Sequence, residues 1–179
     1  MPEESYPALD PSFGHWLAGF IDGEATFIIR RLNGGKNLGC LFNLILREDE
    51  REIISEIHSA LGVGIVSLRQ PQASASRGSK PGIGLRIETK DGCKRLVDVL
   101  DAFPLRAKKA RDYAIWREAV LVWQGAVHAN AGVNAPIWRA MDRLRVDLVA
   151  VRAYDCAPAA DTRRAGENEP GRVRQESLA

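Results

Sequence analysis

The 179-residue chain is poor in the residues that build cross-linked or metal-held scaffolds. Its three cysteines, Cys40, Cys93 and Cys156, are odd in number and far apart, and its three histidines, His15, His58 and His128, are equally dispersed. Neither pattern supplies a disulfide framework or a zinc site, so each thiol reads as a small inert side chain and each histidine as structural. Long apolar runs are missing too; none nears the roughly 18–20 residues that a membrane-spanning helix needs. The first ten residues, MPEESYPALD, are acidic and lack the basic and apolar regions of a secretory signal. These absences predict a reducing, cytoplasmic setting and no membrane partner.

Acidic residues are scarce in two particular stretches. Residues 25–47 and 64–90 carry nine basic side chains, Arg30, Arg31, Lys36, Arg47, Arg69, Arg77, Lys80, Arg86 and Lys90, against one acid, Glu88. That leaves 16 of the 25 basic and 22 of the 23 acidic residues elsewhere, so a net charge of only +2 hides one strongly basic region. Lysine and arginine do protect sheet edges, but nine against one is the footprint of a surface that meets a polyanion.

What is plentiful is core. With 45% hydrophobic residues the chain can close one domain, expected over 1–156, followed by an apolar-poor tail at 157–179 expected to be disordered. Asp10-Pro11 reads as the cap and first position of a helix running to about Gly23. ATFIIRRL (25–32) and GCLFNLILR (39–47) read as two strands joined by NGGKN. Residues 48–62 read as a helix with acids in its first turn and Gly62 as its stop. A second hairpin follows, with strands at 64–69 and 83–90 and a long loop at 70–82, a length usually reserved for function. Helices are predicted at 91–103, 107–123 and 135–154. The four tryptophans, Trp16, Trp116, Trp123 and Trp138, fall at apolar helix positions and read as core. The fold class is therefore α+β: an αββαββα core whose four-stranded antiparallel sheet carries helices on one face and leaves the basic face open, with helices appended at the C-terminal end.

The first helix is unusual. HWLAGFIDGEATF (15–27) places Gly19 and Gly23 four residues apart in an apolar run and ends on Asp22 and Glu24. Leu17–Ala25, LAGFIDGEA, resembles the signature of the LAGLIDADG homing endonucleases, and the resemblance extends through the core order to FPLRAKKARDY at 103–113, covering about residues 10–123. It implies that Glu24 is the metal-binding acid, with the carbonyl of Gly23, for Mg²⁺, and that Asp22 caps or orients. It aligns Lys108 with a catalytic lysine that offsets charge at the scissile phosphate, with Arg106 and Lys109 adjacent to that register. In the family two motif helices pack at a two-fold axis. Bare glycines permit such close approach, so Leu17, Ala18, Gly19 and Gly23 are the expected dimer interface, and a single motif implies a homodimer. One position departs from the pattern: Leu46 stands where many relatives have a water-positioning glutamine. Either Asn43 or Arg47 substitutes for it, the register shifts, or cleavage is weakened.

The resemblance implies a metal-dependent DNA endonuclease that cuts a long, near-palindromic double-stranded site and leaves 3′ overhangs. Its alternatives are a non-cleaving binder on the same scaffold, such as a splicing maturase or transcription regulator, and, more remotely, a protein that docks an acidic partner. Strand alternation turns Thr26, Ile28, Arg30, Asn43, Arg69 and Arg86 toward the DNA. Arginine matches guanine and asparagine matches adenine through paired hydrogen bonds, which makes Arg30, Asn43, Arg69 and Arg86 the expected base readers. Lys36, Arg77 and Lys80, on the turns, are expected at phosphates or flanking bases.

Overall fold

The structure is a computed structural model that describes residues 6, 8–70, 80–127 and 134–153. Helix α1 (Pro11–Glu24) opens as its sequence dictates: the Asp10 carboxylate accepts the N–H groups of Ser12 and Phe13 at 2.9 and 3.1 Å, with Pro11 in the first turn. It runs directly into strand β1 (Ala25–Leu32). At the far end Asn33, Gly34 and Gly35 all take positive φ, a left-handed path that asparagine and glycine adopt most readily. The chain returns as β2 (Asn37–Arg47).

Helix α2 (Arg51–Leu61) begins three residues later than its acids suggested, because Glu48–Glu50 forms a 3₁₀ turn. Gly62 ends it at φ 71°, its N–H donating to the His58 carbonyl. Strands β3 (Ile65–Arg69) and β4 (Gly82–Ile87) follow. β4 is shorter than its alternation predicted. Thr89 serves as the cap of α3 (Lys90–Ala102), its Oγ1 accepting the Gly92 N–H at 3.1 Å. Threonine suits both a strand and a cap, and here the cap prevails. Helices α4 (Lys109–Gln124) and α5 (Ala135–Ala150) complete the described elements.

The sheet order is β1-β2-β4-β3, antiparallel throughout, so the two hairpins join through their inner strands. Phe27, Ile29, Cys40, Phe42, Leu44, Ile83, Leu85 and Ile87 make the covered face. Against them pack Leu17 and Ile21 of α1, Ile54 and Ile57 of α2, Leu96 of α3 and Trp116 of α4. Phe27 lies at the centre, its ring 5.1 Å from Trp116 and 5.6 Å from both Tyr113 and Phe42. Cys40 and Cys93 are buried there as free thiols; burial pushes Cys93 up to about 12 and Cys40 up as well, leaving both protonated and inert. Helix α5 lies along the β1 edge. Arg31 pairs with Asp142 at 3.0 Å, and Arg152 donates to the Phe27 carbonyl at 2.6 Å.

Trp16 corrects the reading of the tryptophans as core. It is 42% exposed and stacks between Phe13 and Phe20 on the outer side of α1, at 5.3 and 5.1 Å. The buried stripe of that helix is Gly14, Leu17, Ala18 and Ile21, and Trp16 falls off it. Arg77, His128, Cys156, most of the long loop and the 157–179 tail lie outside the described residues.

Trp116 is fully buried, its ring 5.1 Å from that of Phe27. Trp116→Ala is expected to lower stability by about 3–5 kcal/mol, read as a drop in the midpoint of a urea unfolding curve with little change in slope.

Candidate functional site

The end of α1 is held by a segment far away in sequence. The Asp22 carboxylate accepts the N–H groups of Arg106 and Ala107 through one oxygen, at 2.7 and 2.8 Å. This docks the start of α4 on the end of α1. The Lys109 ammonium then donates to the carbonyls of Gly23 and Asp22 at 2.7 and 3.1 Å. The last carbonyls of a helix lack intrahelical partners and carry partial negative charge, which a cation offsets. Glu24, the next residue, is exposed and lines an open groove of about 540 Å³ with Phe20, Ile45, Arg47, Arg69 and Lys80.

Lys108, the lysine the alignment favoured, is exposed one residue before α4. The Lys109 ammonium reaches the motif. The phase of α4 explains this. Its buried residues Tyr113, Trp116 and Val120 follow Lys109 at four, seven and eleven positions, so Lys109 shares their inward face and Lys108 does not. That periodicity was readable in the sequence. Leu46, which stands for the usual glutamine, is 8% exposed, paired opposite Ile83 and part of the core. Among the neighbours that could take its place beside Glu24, Arg47 lines the same groove, whereas Asn43 lies further along the sheet.

The open face of the sheet is ordered in rows by the strand register. Thr26, Asn43, Arg86 and Ile65 stand opposite one another across four strands. Toward Glu24 follow Ile45, Gly84 and Ser67, then Arg47, Gly82 and Arg69. In the other direction lie Ile28, half-buried opposite Leu41, then Arg30, and the exposed Lys36 on the turn. Two glycines on β4 thus let the side chains of Ile45 and Arg69 pack close over the strand. A Cβ on Gly82 would lie 2.9 Å from the Leu46 carbonyl, and one on Gly84 would lie 3.2 Å from Ile45 and 3.8 Å from Arg69. Asn43 Oδ1 and Arg69 Nε are buried atoms with no hydrogen-bond partner among the described residues.

The outer face of α1 differs from the expected interface in two residues. Leu17 and Ala18 are 0% and 4% exposed, sealed in the chain's own core, because they lie on the helix's inward stripe. Gly19 and Gly23 face away, where an added Cβ would meet nothing within 4 Å. With Trp16 and Phe20 they form an aromatic and glycine surface. Among the described residues no helix is long and apolar enough to cross a membrane.

An αββαββα core with a carboxylate at the helix-to-strand junction and a basic open sheet is the arrangement that the comparisons with known proteins also find. The family model described as LAGLIDADG endonuclease matches residues 17–120, and the chain belongs to the LAGLIDADG endonuclease family. It is 31% identical over 146 residues to the Schizosaccharomyces pombe protein named "Probable intron-encoded endonuclease Cox1-I1b", covering 80% of this chain and 35% of the relative. It is 30% identical over 114 residues to an uncharacterized cox1 intron-2 protein of the same organism, covering 64% of this chain and 32% of that one. The chain thus spans about a third of the length of these curated relatives. Among solved structures it resembles the LAGLIDADG meganuclease I-AabMI bound to uncleaved DNA, with a TM-score of 0.55 and 28% identity over 68% of this chain and 41% of the other. The archaeal intron-encoded homing endonuclease I-Vdi141I, solved with DNA, shares the fold with a TM-score of 0.61 at 17% identity, over 81% of this chain and 89% of its own.

Asp22→Ala removes both hydrogen bonds that dock residues 106–107. The expected cost is about 1–3 kcal/mol, measured by urea unfolding, with faster amide hydrogen exchange at Arg106 and Ala107 than in the parent.

Proposed function

We propose that the chain is a homodimeric, site-specific endonuclease that hydrolyses one phosphodiester in each strand of a long, near-palindromic DNA duplex with Mg²⁺, leaving 3′ overhangs. The observation that carries this reading is the seat of Lys109 on the carbonyls beside the exposed Glu24, at the border of a basic, open antiparallel sheet. A twisted ribbon of this kind fits the major groove. The unpartnered Asn43 Oδ1 and Arg69 Nε on that face support a hydrogen-bonding ligand there. The names of the S. pombe relative and the DNA-bound structures favour the same substrate class.

Within this reading Glu24 is the carboxylate of the reaction centre. Its oxygen and the Gly23 carbonyl are hard donors of the kind Mg²⁺ prefers, and the carbonyl, which accepts the Lys109 ammonium in this structure, would have to share its oxygen with or yield it to the metal. One chain brings one such carboxylate, so a second copy's Glu24 across a two-fold axis completes the donor set. A divalent cation held there supplies Lewis-acid polarisation of water and of the phosphate. Lys109 holds a positive charge beside the position of the scissile phosphate, and Asp22 fixes the segment that presents it. Arg30, Asn43, Arg69 and Arg86 read base edges, while Lys36 and Lys80 reach the backbone. The two-fold axis runs along the outer face of α1, where Gly19 and Gly23 admit a partner helix. Two identical surfaces then read a palindrome.

The chemistry of Leu46 favours a second reading, a binder on the same scaffold that does not cut, because this largely buried side chain borders the Glu24 groove and offers no hydrogen bond to a water there. Selection from a randomised duplex library with Mg²⁺, and in parallel with Ca²⁺, separates the two. The endonuclease reading expects cut, near-palindromic sites; sites enriched in Ca²⁺ and never cut in Mg²⁺ would establish the binder.

On a selected site, Glu24→Gln is expected to abolish cleavage while leaving Ca²⁺-supported binding within a few-fold. Lys109→Met should slow single-turnover cleavage by about 10²–10³-fold, and Lys108→Met by much less; the reverse order would restore the Lys108 register. Gly19→Leu should leave a folded chain that sediments as a monomer.

A further inference from the structure

The basic stretches contain one acid, and the structure puts it in their middle. Glu88 follows β4 and receives two arginines from different strands. Arg30 of β1 reaches one carboxylate oxygen through Nη2 at 2.5 Å, and Arg86 of β4 reaches the other through Nη2 at 3.1 Å. The three side chains are 38%, 36% and 28% exposed, so the cluster is partly shielded from water. β2 runs between the two arginine-bearing strands, and the cluster therefore spans the width of the central sheet. Leu41 of β2, on this open face opposite Ile28, is only 5% exposed.

We propose that Glu88 is a positioning and specificity residue: it holds the Arg30 and Arg86 guanidinium groups in place on the open face and offsets their charge, so that they favour matched bases over phosphates. The inference rests on the DNA-binding reading above. Arg30 hydrogen-bonds the carboxylate through Nη2 and Arg86 is ion-paired to it, and a guanidinium has five N–H donors, more than one such contact uses. A long side chain fixed in this way loses less rotamer freedom when it meets a base. The charge argument points the same way. Two arginines sharing one carboxylate attract a uniform row of phosphates less than two unshared ones, which lowers binding to any sequence. A guanine edge offers paired acceptors at one place only, so matched sites lose less than random ones. The carboxylate also repels phosphate and the electronegative base acceptors directly, which penalises a wrongly docked duplex.

The test is Glu88→Gln, a near-isosteric change at a partly exposed side chain, with unaltered circular dichroism as the control for folding. Three quantities are measured: salt at elution from heparin, the slope of log affinity against log salt for a random duplex, and the breadth of sites recovered by selection. The expected variant elutes from heparin at higher salt. It shows a slope steeper by about one to two units per protomer, and it recovers a broader set of sites, with base preference lost at the positions the two arginines read. In an Arg30→Gln/Arg86→Gln background the same change should shift the three quantities far less, because Glu88 acts through those arginines. Unchanged elution, slope and site breadth would overturn the proposal. So would an equal shift in the arginine-free background, which would make Glu88 a general charge only. A parent protein that binds no duplex would instead sink the endonuclease reading, and the heparin shift would still decide whether Glu88 offsets the two arginines.

Discussion

The structure turns on one carboxylate at the end of one helix. Asp22 accepts two backbone N–H groups from residues more than 80 positions away, and through them α4 is docked on α1. Much else depends on that contact. It sets where α4 begins, and so the helical phase that carries Tyr113 and Trp116 into the core against Phe27. The same phase brings Lys109 to the carbonyls of Asp22 and Gly23. A carboxylate bonded to two amides and an ammonium on two carbonyls are complementary: the first holds the segment that leads into one helix, the second satisfies the end of another. Core and site are thus fixed by the same few atoms, and Glu24 inherits a defined position because its two neighbours are both held.

The sheet divides its labour by parity. One parity of each strand is apolar and seals the core; the other carries Thr26, Asn43, Arg86 and Arg69 on the opposite face, away from the described helices that pack on the core. Gly82 and Gly84 fit this division rather than weaken it. They let the side chains of Ile45 and Arg69 lie over the middle strand of the open face, where a Cβ on either glycine would crowd the β2 backbone or Ile45.

Most of this architecture was legible in the sequence because its signals are redundant. Alternation gave the strand faces, Asp10-Pro11 and Gly62 bracketed helices, and the motif with its downstream order gave the topology. The points that the sequence alone left open or misplaced share a cause, since each depends on which side of a helix or strand a residue occupies within one turn. Trp16 is apolar but lies off the buried stripe, and Leu17 and Ala18 lie on it, so the motif's apolar letters belong to the core and its glycines to the surface. Lys108 and Lys109 are identical in chemistry and differ only in helical phase, which is set by aromatics further along α4. The end of β4 was hidden because Thr89 suits a strand and a cap equally well, and only the Gly92 N–H decides between them.

The Glu88 cluster was less legible still, for a reason intrinsic to sheets. Arg30 and Arg86 are 56 residues apart, and nothing local joins them; the register of β2 between β1 and β4 does. Charge counting presents Glu88 as an exception to a basic region, whereas the ladder makes it that region's shared partner. A face that binds any duplex by charge alone gains affinity without choice, because phosphates are the same at every sequence. Choice requires that positive charge be restrained until the correct acceptors arrive. One carboxylate between two arginines is the smallest arrangement that supplies such restraint, and its place after β4, at the end of the ladder, lets it reach both without interrupting the strand pairing.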